Sequence, residues 1–206
     1  MKILNLYAGI GGNRKLWGNN HEITAVEINS EIAKIYSNFY PSDTVIIGDA
    51  HDYLLKHFQE FDFIWSSPPC QSHSRINKTG LRKKEYIDIK LYQEIIFLKQ
   101  WYKGKFVIEN VIPYYETLIN PTVDIDRHYF WANFNIPKHE FERKTTIRKS
   151  QIPDYEKSLN YDLSKYTFKN KRQLLRNCVL PEIGEYILNR AIGIKKQQEF
   201  KTGSLF

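Results

Sequence analysis

Five strand-length apolar runs, at residues 2–7, 23–26, 44–47, 61–65 and 105–108, punctuate the first half of the chain. Between them lie amphipathic stretches, of which 30–39, 50–58 and 85–101 have helical spacing. This alternation constrains the fold more than any other feature. Runs that are apolar at successive positions bury both of their faces, and strands covered on both faces belong to a parallel sheet with helices above and below. The expected fold class is therefore α/β, a mainly parallel sheet flanked by helices. A length of 206 residues suits one domain with a full core and at most a small appendage. Ligands of such sheets bind beyond the carboxyl ends of the strands, and Gly9, Glu27, Asp49, Cys70 and Glu109 all fall there.

The second half reads differently. Residues 129–136 suit one or two antiparallel strands, 138–170 are polar with little periodicity, 180–191 return to a helical pattern, and the tail from 195 is polar. Two cysteines, Cys70 and Cys178, make no disulfide framework and fit a reduced, cytoplasmic protein. Cys and His are too few at ligand spacings for zinc, so no metal is expected. No run is long enough for a membrane span and no signal-peptide core opens the chain, so no membrane partner is expected. A formal charge of +7 suits a polyanion, nucleic acid foremost. The same lysine-rich composition, with abundant Ile, Asn and Tyr, is also what an AT-rich coding sequence produces.

The strand ends carry the chemistry. Tyr7-Ala8-Gly9-Ile10-Gly11-Gly12 follows the first run and is expected to open a helix, its glycines letting backbone approach a ligand closely. Glu27 closes the second run 18 residues after Gly9, where a carboxylate can accept from both ribose hydroxyls of a nucleoside cofactor. Asp49 closes the third, within reach of an adenine amino group. Cys70 sits in Ser66-Ser67-Pro68-Pro69-Cys70-Gln71-Ser72-His73-Ser74-Arg75, where two prolines stiffen its approach. A rigid strand-end loop suits a nucleophile, with Arg75, backbone amides and a helix N-terminus available to favour the thiolate. A small buried hydrophobe is the other reading of such a cysteine. Glu109 ends the fifth run; parallel pairing would bring it beside Cys70, although an acid there can also simply be solvated.

Taken in order, these stretches resemble the DNA (cytosine-5)-methyltransferases. The carriers are LYAGIGGNRKLW (6–17), AVEINSEIAKIY (25–36), GDAHDY (48–53), PPCQSHS (68–74), IENV (108–111) and RQLLRNCVLPEIGEYIL (172–188). The resemblance implies a Rossmann-like S-adenosylmethionine-dependent methyltransferase fold. Residues 1–137 would form the catalytic core, 138–170 a very small target-recognition insert, 171–194 a segment returning to the core and 195–206 a polar tail. It implies S-adenosyl-L-methionine held by Tyr7, Ala8, Gly9, Ile10, Gly11, Gly12, Glu27, Ile28, Asp49, Ala50, Pro68, Asn177 and Val179. It implies methyl transfer to C5 of cytosine in double-stranded DNA, with Cys70 adding to C6 of a flipped base and Glu109 engaging N3 and the exocyclic amine. Pro69, Gln71, Ser72, Ser74, Arg75 and Asn110 fall to the substrate by the same resemblance.

The chain departs from the family pattern in four places. Ser72-His73-Ser74 stands where Gly-Phe-Ser or a close variant is usual, and Arg176 precedes Asn177 where Gly is usual. The Gln-x-Arg-x-Arg motif is not plain; DRHYFWANF (126–134) is its best candidate, with Arg127 the substitute for an arginine that steadies the base and Arg143 and Arg148 in competition. About 35 residues separate that segment from RQLLRN, far fewer than a usual target-recognition domain. So small a reader implies a short target, on the order of 2–4 base pairs. Arg143 and Arg148 would touch the nucleic acid. A companion restriction endonuclease and a partner subunit supplying recognition stay open, in a bacterial or phage setting. Rival readings are an inactive relative that binds cofactor or DNA, an RNA cytosine-5 methyltransferase, and an amino-group methyltransferase. Intact Cys70 and Glu109 speak against the first. Cys70, standing where the last class has a stacking aromatic, speaks against that one.

Overall fold

The computed structural model describes residues 1–75, 86–142, 145–146 and 149–194. Among the described residues seven strands form one sheet: β1 (Lys2–Leu6), β2 (Glu22–Glu27), β3 (Thr44–Ile47), β4 (Phe63–Ser66), β5 (Lys105–Val111), β6 (Val123–Ile125) and β7 (His128–Ala132). Their spatial order is β3-β2-β1-β4-β5-β7-β6. The first five are parallel, and β7 and β6 pair antiparallel at the far edge. The order reverses direction at β1, so a crevice opens beyond the carboxyl ends of β1 and β4.

The continuous apolar runs are explained by burial on both faces. Ile3, Phe63, Trp65, Val107 and Phe130 point into one core layer. Leu4, Leu6, Ile64, Phe106, Ile108 and Trp131 point into the other. Helices α2 (Ala50–His57) and α3 (Lys90–Trp101) cover the second layer through Leu54, Leu91, Ile95 and Leu98. Helix α1 (Ser30–Phe39) follows β2 and starts where the Asn29 carboxamide oxygen accepts from the amides of Glu31 and Ile32.

The first layer is closed by the carboxyl-terminal half: α4 (Ile152–Leu159), α5 (Lys171–Asn177) and α6 (Pro181–Ala191). Tyr155, Leu159, Tyr161, Leu163, Ile183 and Ile187 join Ile3 and Phe63 there. Residues 138–170, which read as a polar insert, thus contribute to the same core, and α4 is fixed by a capping box between Gln151 and Asp154.

Three local expectations are corrected. The glycine turn opens no helix: residues 9–18 are successive turns, and the first α-helix comes only after β2. The helix expected over 85–101 begins at Lys90, after a turn in which the Asp88 carboxylate accepts from the Lys90 amide and the Asp88 amide donates to Ser72 Oγ; Glu85 lies outside the described residues. The antiparallel strands expected at 129–136 form a hairpin at Val123–Ile125 and His128–Ala132, turning on Asp126 and Arg127, with Asp126 at φ 54°. Among the described residues no helix is long and apolar enough to cross a membrane.

Candidate active site

At the end of β1 the chain is held in an unusual path. Tyr7 adopts a left-handed backbone, φ 56°, uncommon for a bulky residue. Its hydroxyl donates to Glu94 Oε1 at 2.6 Å. The amide of Ala8 donates to Val26 O, and the amide of Gly9 to Glu27 Oε2 at 2.9 Å. Glu27 Oε1 accepts from the Asn29 amide, also at 2.9 Å. The Glu27 carboxylate is thereby pinned at the tip of β2, beside Ile28, which is 69% exposed.

Two glycines are required by close approach. A Cβ on Gly11, φ +80°, would lie 2.4 Å from the Tyr40 ring. One on Gly12 would lie 2.8 Å from Val179 O and 2.9 Å from Cys178 Cβ. The late stretch 177–179 therefore packs directly on the glycine turn, with Val179 buried and Asn177 exposed. Ile10 is fully buried. Tyr40 and Tyr161 both donate a hydroxyl to Gly11 O at 2.9 Å, tying α1 and the segment after α4 to the turn.

Asp49 caps α2, its carboxylate accepting from the Asp52 amide at 3.0 Å, with Lys90 Nζ 3.9 Å from its other oxygen. The amide bond, more than the lysine, holds this carboxyl below the usual carboxylate range. Ala50 behind it is buried. The residues present fit a nucleoside cofactor: a fixed, charged acceptor for a diol at Glu27, an exposed apolar side chain for a base at Ile28, and a glycine turn that admits the remainder.

Glu94 escaped the sequence reading. It is fully buried on α3 and accepts from Tyr7, from Ser66 Oγ at 2.6 Å, and pairs with His51 Nδ1 at 3.0 Å. It joins the ends of β1 and β4 to α2. Burial, then Glu94, raises the Tyr7 phenol well above its ordinary range, and the hydrogen bond to Glu94 raises the His51 imidazole. Its signal was available: an acid among Leu91, Ile95 and Leu98 on the apolar face of α3.

The Cys70 loop leaves β4 beside β5. Pro68 is buried and its carbonyl accepts from Asn110 Nδ2 at 2.9 Å; Pro69 is exposed and Cys70 partly so. The Cys70 carbonyl accepts from the amides of His73 and Ser74, closing a tight turn. Gln71 is exposed. Ser72, expected at the substrate, is buried with its hydroxyl engaged by the Asp88 amide. His73 is 1% exposed with Nδ1 2.6 Å from the Tyr115 hydroxyl, and burial lowers its proton affinity. Ser74 bridges to Pro113, and Arg75 Nε donates to Pro113 O at 3.5 Å.

Glu109 lies near the end of β5 and is 7% exposed. Burial pushes it up to about 7, against the opposing effects of Ser67 and Arg127. His128 on β7 lies next to it, Nε2 3.5 Å from Glu109 Oε1. The Arg127 guanidinium, expected at the base, donates from Nη2 to Arg176 O at 2.9 Å and has Nε 3.7 Å from Asp126 Oδ2. Arg143 and Arg148 lie outside the described residues.

A parallel sheet with an antiparallel hairpin at its edge, a glycine turn facing a pinned acid, and a cysteine loop bonded to the strand that carries a buried glutamate define a nucleoside-cofactor methyltransferase fold. The chain belongs to the C-5 cytosine-specific DNA methylase family, whose sequence model matches residues 1–117; the family's methyl donor is S-adenosylmethionine. It is 27% identical to the human tRNA (cytosine(38)-C(5))-methyltransferase over 86 residues, 39% of this chain and 22% of that protein. The mouse protein of the same name is 28% identical over 86 residues, 39% of this chain and 21% of its own. The matched stretch is thus about a fifth of the curated relatives' length. Among solved structures, a DNMT2 mutant from Spodoptera frugiperda is similar at 29% identity and TM-score 0.40, covering 53% of this chain and 35% of that one.

Proposed function

We propose that this protein methylates C5 of cytosine in DNA, with Cys70 as nucleophile and Glu109 as the acid at N3. The observation that carries the reading is the coupling of the two strand ends: Asn110, next to Glu109 on β5, donates from Nδ2 to Pro68 O at 2.9 Å, so the Cys70 loop is tied to the strand that bears the acid. S-adenosylmethionine, when bound, supplies an electrophilic methyl group on its sulfonium. Glu27 would hold its ribose, Ile28 its base, and the 9–12 turn its remaining backbone-facing edge.

Cytosine C5 is a poor nucleophile. Cys70 reacts as the thiolate, its proton having passed to water, and formation of the Sγ–C6 bond makes C5 an enamine-like carbon. As that bond forms, Glu109 gives a proton to N3 and offsets the charge placed on the ring. Burial keeps a proton on Glu109 near neutrality, which suits this role. After transfer the C5 proton passes to water, the Sγ–C6 bond breaks, and the N3 proton returns to Glu109.

DNA is supported by the family model and by the charge of +7. RNA is the second reading, favoured by the curated relatives, which are tRNA methyltransferases. The test is incubation with methyl-labelled cofactor and separate DNA and tRNA pools, then identification of the labelled base. 5-Fluorocytosine in the preferred nucleic acid should trap the protein covalently, and Cys70→Ala should abolish the adduct. A Cys70→Ala protein that methylates at the native rate overturns the assignment.

A further inference from the structure

The usual arginine-bearing motif is not plain in the sequence; of its candidates, Arg127 donates to Arg176 O, and Arg143 and Arg148 lie outside the described residues. The fold seats the imidazole of His128 directly against Glu109, while the Arg127 charge also acts on that carboxyl. His128 and Glu109 are both buried: their side chains are 4% and 8% exposed, with Nε2 3.5 Å from Oε1. The sheet register explains the contact. Glu109 pairs with Phe130 and Val111 with His128, so the two side chains are diagonal neighbours on one face. On its other side, His128 Nδ1 is 3.8 Å from Asp126 Oδ2. Glu109 faces the ring from β5, and Asp126, with Arg127 beside it, from the hairpin turn.

We propose that His128, backed by Asp126, is a positioning residue that acts through Glu109, its imidazolium stabilising the carboxylate formed when Glu109 gives its proton to N3. This rests on the reading of Glu109 as the N3 acid. The step is balanced: the O–H bond of Glu109 breaks, an N3–H bond forms, and the charge left on the carboxylate is met by a cation already in place. The Asp126 carboxylate favours the charged form of the imidazole before the step, the Glu109 carboxylate favours it further as its proton leaves, and a preplaced charge in a dry site costs no reorganisation when the reaction occurs. A distance of 3.5 Å without substrate is compatible with a contact that tightens in the complex.

The imidazole of His128 is followed by proton NMR in the free protein, its resonance assigned by loss in His128→Gln. Its titration midpoint moves to lower pH in Glu109→Gln and in Asp126→Asn. Asparagine tolerates the left-handed backbone at 126 as well as aspartate does, so that variant keeps the hairpin. An unmoved midpoint in both variants overturns the pairing. Single-turnover methylation is then compared across pH on the nucleic acid that the wild-type protein modifies. At pH 6, His128→Gln is slower by on the order of tenfold to a hundredfold. The deficit narrows as pH rises, because the wild type loses the same charge. A constant deficit at every pH means a merely structural role and overturns the proposal, as does a profile equal to wild type. Failure of the wild type to trap fluorinated DNA or tRNA, with the coupled titration intact, overturns the reading of Cys70 and Glu109, and with it the positioning role given to His128.

Discussion

Replacing Glu27 with glutamine tests the cofactor cleft directly. The carboxylate accepts two backbone amides, Gly9 and Asn29, each at 2.9 Å, and is 9% exposed. Glutamine has one oxygen to give, so its NH2 must face one of the two donors. Hydrogen bonds to a charged acceptor contribute about 1.5–3 kcal/mol each. One such contact is lost inside the protein, which should lower stability by about that amount. A second loss falls on the ligand, because the charge that would accept from the ribose diol is gone. A loss of about 1.5–3 kcal/mol in binding is a Kd roughly 10- to 150-fold weaker. Little screening is expected at so low an exposure. The assay is isothermal titration calorimetry with S-adenosylmethionine, beside a thermal melt of the same samples. The expected result is weaker binding together with a lower Tm, with kcat at saturating cofactor changed less than KM. A lowered Tm with unchanged affinity would show that Glu27 only staples the β1 turn to β2, and would refute its place in the cofactor site.

Asp43→Asn should cost about 3–5 kcal/mol in urea unfolding, because Arg14 and Asp43 form a bidentate pair at 2.8 and 3.0 Å with side chains 2% and 1% exposed, and the change leaves the guanidinium buried without its counter-charge; a loss below 1 kcal/mol would contradict this. Tyr161→Phe removes the one hydroxyl donor shared between Gly11 O at 2.9 Å and Ile10 O at 3.2 Å and should lower stability by about 1–2 kcal/mol while weakening cofactor binding, a pairing that calorimetry and a melt read together. Glu109 gives a pH dependence with a definite sign. Its folded-state proton affinity is raised from 4.5 to about 7, so the native protein holds a proton that the unfolded chain releases. Stability is fullest below about 4.5 and falls as pH rises toward 7, by on the order of 3 kcal/mol. Glu109→Gln should flatten the fall in urea midpoint between pH 5 and 7.5, and equal slopes in both proteins would refute it.

Much of the sheet was legible because it is local. Strands β1 to β5 announce themselves as apolar runs, and the stop residues Gly9, Glu27, Asp49, Cys70 and Glu109 follow directly from where those runs end. The order of the motifs along the chain told which family the chain resembles, and residues 1–117 carry the match. The hairpin was harder. Its strands are of three and five residues, and its turn is set by Asp126 in a left-handed conformation that no apolar pattern marks. Residues 138–170 read as polar because their core contacts, Tyr155, Leu159, Tyr161 and Leu163, are spaced among lysines and acids in segments too short to show a period.

Sequence alone determined the layered α/β plan, where its strands end, and the residue types placed there, because strand and helix patterns are properties of neighbours along the chain. Tertiary structure alone decided the partners that set the chemistry of those residues. Glu94 meets Tyr7 across 87 positions, Tyr161 meets Ile10 across 151, and Arg127 meets Arg176 across 49. His128 reaches Glu109 only because β7 turns back antiparallel along β5. The physical reason is that proton affinity and electrostatic support depend on distance and burial in space, and an acid at the end of a strand becomes a buried acid only when a distant segment covers it.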